Sequence, residues 1–481
     1  MTLDSEIWKM SATVLTAAIR QGKLSSEEIV RQSLERISAL DGHTNSFVTV
    51  DGDAALAAAR AADVKRQKGG VLPPLHGVPV SVKDVIVTAG MRTTYGSTLM
   101  AGNVPENDAE AVARLRRAGA IIIGKTTTSE FAHKALTDSP LTGETRNPWA
   151  LDRVPGGSSG GAGVAAAMGY AALNVSTDGG GSSRVPAACC GVLGLKPTMG
   201  SIPNETAQDV FGLQVIGAIT RTISDLHMVY RTMAGPFSGD PLSLGKSCGQ
   251  AVDFENSVET LKGLRIRWLP LMGNRRLSTC LMPTFQALIS RFESAGAKVF
   301  DDGDIDWALD ACQVLMRAQQ AQRFRRLPPE QRQLLDRSLV RCIEEGESQN
   351  VETLQSAILA RTGLYHRLQT MFETADVLLS PVVASRPPRI PQDAHEPMLI
   401  DGHLEGPIRD AWHSYMIPIN ATGHPAISIP CGLDAEGLPV GAQLVGPWHS
   451  ESLLFRIGAA LETLNPWADR WPPLAVRGGR S

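Results

Sequence analysis

Glycine, serine and alanine dominate residues 142–200, and this segment constrains the fold and the chemistry of the chain more than any other. Glycine runs occur at 156–157, 160–161 and 179–181. Three consecutive glycines before Ser182 allow positive φ angles and can turn several backbone N–H groups toward one point, which side chains would block. The segment therefore predicts an oxyanion-binding loop at Ser182. A flexible glycine turn is the alternative that composition alone leaves open.

Helical and strand patterns alternate over the first third of the chain. Ser25 and Glu28 form a capping box, which is typical of a helix N-terminus. The predicted elements, in chain order, are a helix from this box to Asp41, a helix over 54–68, a strand over 78–82, a helix from an Asp108 cap to Arg117 and a strand over 120–123. This order predicts α/β layering.

The second half of the chain begins with a long helical stretch. Residues 235–375 are rich in Arg, Gln, Glu and Leu with helical periodicity. Strands that return to a sheet are predicted at 377–379, 426–429 and 440–445. We therefore expect a single α/β domain over 1–481, with a core at about 65–235 and 375–465 and a helix-rich insertion or cap at about 236–374.

Composition excludes several classes of protein. The 46 basic and 49 acidic residues nearly balance, so we expect neither nucleic acid nor an anionic membrane as partner. The seven cysteines lack CxxC spacing and the ten histidines include no HExxH, so we predict no disulfide framework and no metal site. The first ten residues do not resemble a signal peptide, and no apolar run approaches the roughly 20 residues that span a bilayer. We expect a cytoplasmic protein without a cofactor that acts on a small molecule, either as a monomer or as a homodimer.

Two motif matches conflict with their surroundings. Residues 119–126 satisfy the P-loop pattern GxxxxGK[ST], in which a strand precedes the first glycine and the next four residues wrap phosphate. Here those four residues are Ala-Ile-Ile-Ile, which favour a strand themselves. A nucleotide-binding protein that uses Lys125 is therefore kept only as an alternative. Ser243 and Lys246 match SxxK without the SDN and KTG motifs that accompany it, which indicates chance.

A third match concerns Ser158. Residues 156–160 read GxSxG, the nucleophile elbow of α/β-hydrolases, which needs a buried strand directly before the serine. The preceding residues 147–155 form a polar segment with prolines at both ends, which favours a loop. Because His424 or His449 could supply the base downstream, the elbow also stays open as an alternative.

The remaining serine and lysine residues could together carry out amide hydrolysis. That reaction requires an activated nucleophile, a base and donors for the developing oxyanion. The loop 155–161 carries Ser158, the loop 176–184 carries Ser182, and Lys83 ends the first predicted strand. These three segments could supply every required group.

In their order and spacing these motifs resemble the amidase signature family. Lys83 precedes Ser158 by 75 residues and Ser158 precedes Ser182 by 24, which is similar to the family's spacing. The segments that follow the family's pattern are Gly124–Thr126, Thr145–Trp149, Pro155–Gly161, Thr177–Asp178, Gly180–Ser182, Arg184 and Gly191–Thr198. A weaker match at 420–432 and 438–446 extends the resemblance over most of the chain.

The resemblance implies a fold and a set of roles. The fold is a large twisted mixed β-sheet covered by helices on both faces, and the activity is that of a Ser-Ser-Lys amidohydrolase. Ser182 would be the nucleophile, Ser158 the bridge and Lys83 the base. The oxyanion hole would consist of the N–H groups of Gly179, Gly180, Gly181 and Ser182. Three further side chains, Ser159, Asp178 and Arg184, would orient the loops from behind.

This mechanism requires a neutral Lys83. The usual lysine pKa of about 10.4 leaves almost none of it neutral at pH 7, so burial must lower the value. A position at the end of an apolar strand, inside a closed site, would achieve that. The carboxylate of Asp84 would oppose it at close range, so we expect that carboxylate to face elsewhere. In the family, Ser158 is also characteristically preceded by a cis peptide bond.

The sequence departs from the family's pattern at three positions near these loops. Ser176 stands where a glycine is usual, Ser183 follows the nucleophile in place of isoleucine, and Ala218 replaces a proline. None of these changes removes a catalytic group. They concern the shape of the pocket and the packing of its loops.

The predicted function is hydrolysis of a small-molecule amide to a carboxylic acid and an amine or ammonia, through an acyl-enzyme on Ser182. Carbamate and urea bonds remain open as targets. The main alternative is the amidase-like component of a glutamine-dependent tRNA amidotransferase, although residues 201–219 lack the glycine- and serine-rich pattern expected of it. For the pocket wall we predict 129–136 and 401–415, including His403 and Trp412.

Overall fold

The computed structural model describes residues 6–205, 209, 211–245, 251–301 and 303–477. Its helices are α1 Ala12–Arg20, α2 Ser26–Thr44, α3 Gly52–Gln67, α4 Glu110–Arg117, α5 Gly160–Met168, α6 Arg184–Cys190, α7 Ile223–Met233, α8 Met282–Ser294, α9 Leu309–Phe324, α10 Pro329–Arg332, α11 Arg337–Glu347, α12 Val351–Thr374, α13 Ile408–Ala411, α14 Ile417–Ala421, α15 Glu451–Leu464 and α16 Pro473–Arg477. Its strands are β1 Phe47–Val50, β2 Pro79–Lys83, β3 Ile121–Thr126, β4 Asp138–Ser139, β5 Gly143–Glu144, β6 Leu173–Asp178, β7 Leu193–Lys196, β8 Val215–Thr220, β9 Arg265–Trp268, β10 Lys298–Phe300, β11 Val377–Pro381, β12 Pro397–Ile400, β13 His403–Pro407, β14 Ala426–Leu433 and β15 Pro439–Val445.

Eleven of these strands form one mixed sheet, in the order β1-β3-β2-β6-β8-β7-β14-β15-β11-β9-β10. The neighbours β3, β2 and β6 run parallel, as do β11, β9 and β10. The other neighbouring pairs are antiparallel. The large mixed sheet that the resemblance implied is thus confirmed.

Helices cover both faces of this sheet. In β3, Ile122 belongs to the same apolar cluster as Val112 of α4. Its neighbours Ile121 and Ile123 belong to a different cluster, together with Val30 of α2. Successive strand side chains point to opposite faces, so α4 and α2 lie on opposite sides of the sheet. The layered α/β prediction is therefore confirmed.

Most local predictions in the first third of the chain hold. The Ser25 side chain accepts from Glu28 N–H at 3.0 Å, and the Glu28 carboxylate accepts from Ser25 N–H at 2.7 Å, which completes the capping box of α2. The strand predicted over 78–82 is β2, displaced by one residue. The strand predicted over 120–123 is β3, which continues to Thr126.

The predicted Asp108 cap is wrong. Helix α4 begins at Glu110, and Ala109 occupies the cap position. The Asp108 carboxylate instead accepts the Ala89 N–H at 2.7 Å and pairs with Arg116 at 2.9 Å. The carboxylate is thus already bonded to a neighbouring loop and to the side of α4.

The helical stretch in the second half contains α8 to α12, and α9 packs against α11, α12 and α14. It also contributes the short strands β9 and β10 at one edge of the sheet, which helical periodicity did not predict. The division into a core and an insertion stays a prediction.

None of the helices in the described part of the chain is long and apolar enough to cross a bilayer.

Candidate active site

Lys83 is the last residue of β2, a strand whose five residues are all buried. Because β2 and β6 run parallel, their carboxyl ends meet at the same edge of the sheet. Lys83 Nζ donates to Thr177 Oγ1 near the end of β6 at 2.9 Å, and to Ser158 Oγ at 2.7 Å. The sequence analysis assigned no role to Thr177. The contact between Thr177 and Lys83 follows from the pairing of β2 with β6, which the sequence pattern did not reveal.

Ser158 lies in the tight loop that precedes α5, and its side chain is fully buried. The Gly157–Ser158 peptide bond is cis, as the resemblance implied. A Cβ atom on Gly157 would lie 2.6 Å from the carbonyl carbons of Ala135 and Leu136, so this crossing of two backbones requires glycine. Ser158 Oγ, which accepts the lysine hydrogen bond, donates to Ser182 Oγ at 3.0 Å. One lysine and two serines therefore form a continuous hydrogen-bonded row.

The carboxylate of Asp178 fixes the loop that presents Ser182. It accepts from Gly181 N–H at 2.7 Å and from Ser183 N–H at 3.1 Å. Arg184 Nη2 pairs with it at 2.8 Å, and both side chains are fully buried. Burial alone would raise the pKa of Asp178, but the Arg184 charge and these hydrogen bonds hold it well below its usual value. The loop is thus organised around a paired, ionised carboxylate.

Two further side chains connect the loops. Ser159 N–H donates to the Ser182 carbonyl at 3.3 Å, and its hydroxyl donates to the Thr177 carbonyl at 3.2 Å. Asn420 Nδ2 donates to Asp178 Oδ1 at 3.0 Å from the other side. The structure thus brings the predicted residues Ser159 and Asp178 together behind the row. It adds Asn420, which the sequence analysis placed in a motif without giving it a role.

Burial shifts the pKa of the lysine. It lowers the pKa of Lys83 well below the usual value, and the negative charge of Asp178 opposes this with a smaller effect. Asp84 does not face Lys83, as predicted: both of its carboxylate oxygens accept the Thr94 N–H at 3.1 Å, and it also accepts the Thr94 hydroxyl. The position that needs a neutral amine therefore has an environment that favours one.

The backbone donors beside Ser182 differ in availability. Gly181 has a φ of +106°, which favours glycine, but its N–H already donates to Asp178. Within the described part of the chain, the N–H groups of Gly179, Gly180 and Ser182 have no hydrogen-bond acceptor. Three of the four predicted oxyanion donors are thus free, while Gly181 supports the geometry of the loop.

Two of the departures from the family's pattern contact each other. The hydroxyl groups of Ser176 and Ser183 form a hydrogen bond of 2.7 Å, and both residues are fully buried. The third departure, Ala218, is a buried residue of β8 paired with Val175 and Leu195. Each serine hydroxyl therefore provides the hydrogen-bond partner of the other, at positions where the family has a glycine and an isoleucine.

The structure contradicts two alternatives from the sequence analysis, the P-loop at 119–126 and the nucleophile elbow at 156–160. Residues 121–126 form β3, and the buried Lys125 Nζ donates to the Ile86 carbonyl and to two threonine hydroxyls at 2.5–2.9 Å. Ser158 follows a loop and not a strand. The His424 ring lies between Gln369 and Thr422, at 3.1 and 3.0 Å.

The SxxK match cannot be followed, because Lys246 lies outside the described residues. Its Ser243 is buried and donates to the Asp240 carbonyl at 2.8 Å. Among the described residues no group of three or more His, Cys, Asp or Glu side chains is placed to hold a metal ion.

A cavity opens directly on Ser182, and its wall only partly matches the predicted one. Residues 131–135 line it, as do Arg409 and His413, all within the predicted segments. Of the two side chains singled out there, Trp412 is buried and donates to the Ser385 carbonyl at 3.0 Å, and His403 is exposed on β13. Helix α9 supplies most of the wall that the sequence analysis missed, namely Met316, Gln319, Gln320 and Arg323, and Leu213 and Gln214 were missed as well.

Comparisons with known proteins agree with this architecture. A family model described as Amidase matches residues 28–455. The chain is 34% identical over 478 residues to an acylamidase of Rhodococcus erythropolis, with 98% of both chains covered. It is 32% identical over 499 residues to the A-type component of the glutamyl-tRNA(Gln) amidotransferase of Moorella thermoacetica, covering 98% of this chain and all of that one. A bacterial aryl acylamidase of the amidase signature family has a similar crystal structure, with a TM-score of 0.86 at 25% identity over 98% of this chain and 99% of the other. The chain belongs to the amidase family.

Proposed function

We propose that this protein hydrolyses an amide-type C–N bond of a small molecule through an acyl-enzyme on Ser182. The observation that carries the proposal is the row from Lys83 Nζ through Ser158 Oγ to Ser182 Oγ, with contacts of 2.7 and 3.0 Å. Hydroxyl hydrogens can rotate, so the same contacts can pass a proton from Ser182 through Ser158 to a neutral Lys83. A buried lysine with a lowered pKa is the base that this direction requires.

The reaction takes two similar steps. In the first, Ser182 Oγ attacks the carbonyl carbon while its proton moves to Lys83, and the free N–H groups of the glycine loop stabilise the oxyanion. The proton then returns through Ser158 to the nitrogen of the leaving amine, and the C–N bond breaks. In the second step water attacks the ester on Ser182 while its proton passes along the same route to Lys83. The ester C–O bond then breaks, the proton returns through Ser158 to Ser182 Oγ, and the carboxylic acid is released.

Fluorophosphonate labelling followed by intact-mass measurement tests this assignment. The parent protein should gain one adduct, and Ser182→Ala should gain none. Ser158→Ala should label slowly, because it keeps the nucleophile and loses the proton bridge. An adduct that persists in Ser182→Ala and disappears in Ser158→Ala would overturn the assignment of the nucleophile.

The relatives favour a small amide as substrate. One relative is named an acylamidase and a structural neighbour an aryl acylamidase. We propose an amide substrate on this ground, with carbamates and ureas as the other bonds to test. Mass spectrometry of a mixed panel of amides, carbamates, ureas and esters, incubated with the parent and with Ser182→Ala, would separate these classes. The isolated chain is expected to act alone, as a monomer or a homodimer.

A second function has support from another relative. The 32% identity to the A-type component of a tRNA amidotransferase extends over the whole length of that protein. If this chain works in the same way, it should co-purify with two partner proteins and transfer ammonia to charged tRNA. Hydrolysis of small amides by the isolated chain, without such partners, favours the first function.

A further inference from the structure

Arg323, at the carboxyl end of α9, is a cation in the Ser182 cavity without a counterion among the described residues. Its guanidinium carbon lies 4.7 Å from the ring centre of Phe131, and 5.8 and 5.6 Å from those of Tyr95 and Phe324. In the described part of the chain no carboxylate lies within 4 Å of this group and no acceptor takes its N–H groups. Aromatic rings hold the guanidinium in place and leave its hydrogen-bonding capacity unused.

Arg409, at the start of α13, faces the same cavity. Its Nη2 donates to the His133 carbonyl at 2.6 Å, which uses one of the five N–H groups of a guanidinium. Within the described chain it too has no carboxylate within 4 Å. Next to it His413 is buried, with a ring Nδ1 that has no hydrogen-bond partner among the described residues.

Other cations near the cavity are neutralised, which makes these two arginines distinct. Lys134, on the same wall, pairs with Asp138 at 2.7 Å and with Asp336 at 2.8 Å. Arg184, behind the floor, pairs with Asp178. Arg323 and Arg409 therefore leave the cavity with uncompensated positive charge. A half-buried cation without a counterion is stabilised most by an anion that the ligand brings into the cavity.

We propose that the substrate amide carries a carboxylate, and that Arg323 and Arg409 bind it. Arginine is suited to this because its planar N–H groups match the two oxygens of a carboxylate. The inference rests on the proposed function of Ser182 and narrows its substrate class to anionic amides. The carboxylate can belong to the acyl part, as in the monoamide of a dicarboxylic acid, or to the amine part, as in an N-acyl amino acid.

Calorimetric titration of the Ser182→Ala protein tests the inference without requiring turnover. Two ligand pairs separate the two sources of the carboxylate: adipic acid monoamide against hexanamide, and N-hexanoylglycine against N-ethylhexanamide. Each pair exchanges a carboxylate for a methyl group. In one pair or the other we expect the anionic ligand to bind about tenfold tighter or more, and less tightly at high salt. The pair that shows the preference identifies the part of the substrate that carries the charge.

Substitutions in the same background then assign the arginines. Arg323→Gln and Arg409→Gln should each weaken the anionic ligand about tenfold and leave the neutral one unchanged. Arg456→Gln, which removes an exposed arginine on α15, is the matched control. If a glutamine variant also loses the neutral ligand, its fold is disturbed, and Arg323→Lys or Arg409→Lys replaces it and should keep part of the preference.

Two results would overturn the inference. One is equal affinity of the Ser182→Ala protein for both members of each ligand pair. The other is a preference for the anionic ligand that survives when Arg323→Gln and Arg409→Gln are combined in this protein. A protein that prefers the anionic ligand but hydrolyses no amide would contradict the proposed function and leave the anion site standing. The two failures are therefore distinguishable.

Discussion

The floor and the wall of the Ser182 cavity are built in opposite ways. The floor consists of the glycine loops and strand ends that hold Lys83, Ser158, Ser182 and Asp178. There the proposed catalytic side chains are hydrogen-bonded to one another. The wall consists of residues 131–135, the cavity side of α9, Arg409 and His413, and in the described part of the chain Gln320 Oε1 and His413 Nδ1 have no hydrogen-bond partner. The geometry of the proposed reaction is therefore fixed by the chain itself, whereas the unpaired side chains of the wall are available to a ligand. Changes in the floor should impair catalysis or folding, and changes in the wall should alter which substrate binds.

The largest effect is expected at Lys83. Lys83→Met removes the base and should lower kcat/KM by about 10²- to 10⁴-fold. In the parent, kcat/KM should rise with pH until Lys83 is neutral and then level off. Because burial lowers the pKa of Lys83, this plateau should begin far below the pH at which an ordinary lysine deprotonates. Kinetics from pH 5 to 10 would measure both effects.

Lys125→Met is the matched control for this experiment. Lys125 is also fully buried, but it is bonded to three neutral oxygens outside the floor. Its replacement should leave the pH profile unchanged even if it lowers stability. Full activity in Lys83→Met, or the same loss in both variants, would show that the floor does not work as proposed. Lys125→Met should also show no change in ATP affinity, since no nucleotide site is expected.

The next effect concerns folding. Asp178→Asn leaves the buried Arg184 charge without its partner and weakens the bonds to Gly181 and Ser183 N–H, so the free energy of unfolding should fall by about 3–5 kcal/mol. The folded-state pKa of Asp178 lies below its unfolded value. Its stabilising contribution is therefore complete above the ordinary carboxyl pKa of about 3.9 and is lost as the pH falls below it.

Urea denaturation at neutral and acid pH measures both consequences, and the variant should lose less stability in acid than the parent. Gln319→Ala is the control from the wall. Gln319 lines the cavity and its side chain makes no hydrogen bond among the described residues, so this change should alter stability by less than about 1 kcal/mol. Equal losses in the two variants would remove the distinction between floor and wall.

A smaller loss of folding stability is expected at Ser176 and Ser183, where the floor departs from the family's sequence pattern. Ser176→Ala or Ser183→Ala leaves one buried hydroxyl without its 2.7 Å partner, which should cost about 1 kcal/mol. The double variant leaves neither hydroxyl unsatisfied and should therefore cost less than the sum of the two. A double-mutant cycle in urea measures this coupling. Strictly additive losses would mean that the two serines are unrelated departures.

The floor was predictable from sequence and the wall only in part, for a physical reason. Gly157 in the Ser158 loop crosses close to the Ala135 backbone, and Gly181 before Ser182 has a φ of +106°, so both requirements for glycine are visible in the sequence. The pairing of Lys83 with Thr177 depended on strand order, which periodicity does not encode. Arg323 lies on an ordinary helix pattern, and only its packing on Phe131 distinguishes it from a solvated surface arginine.

The smallest effect should come from His413, at the boundary between the two regions. Burial, together with the nearby Arg409 charge, lowers the pKa of His413 to about 3, so the ring is neutral near pH 7. We therefore expect the neutral ring to line the cavity beside the glycine loop as a polar group and to take no part in proton transfer. His413→Leu should raise KM about threefold, His413→Asn should restore part of the loss, and neither should move the pH profile of kcat/KM. A shifted profile would place an ionising group in the wall, and the division of labour between floor and wall would then be wrong at this residue.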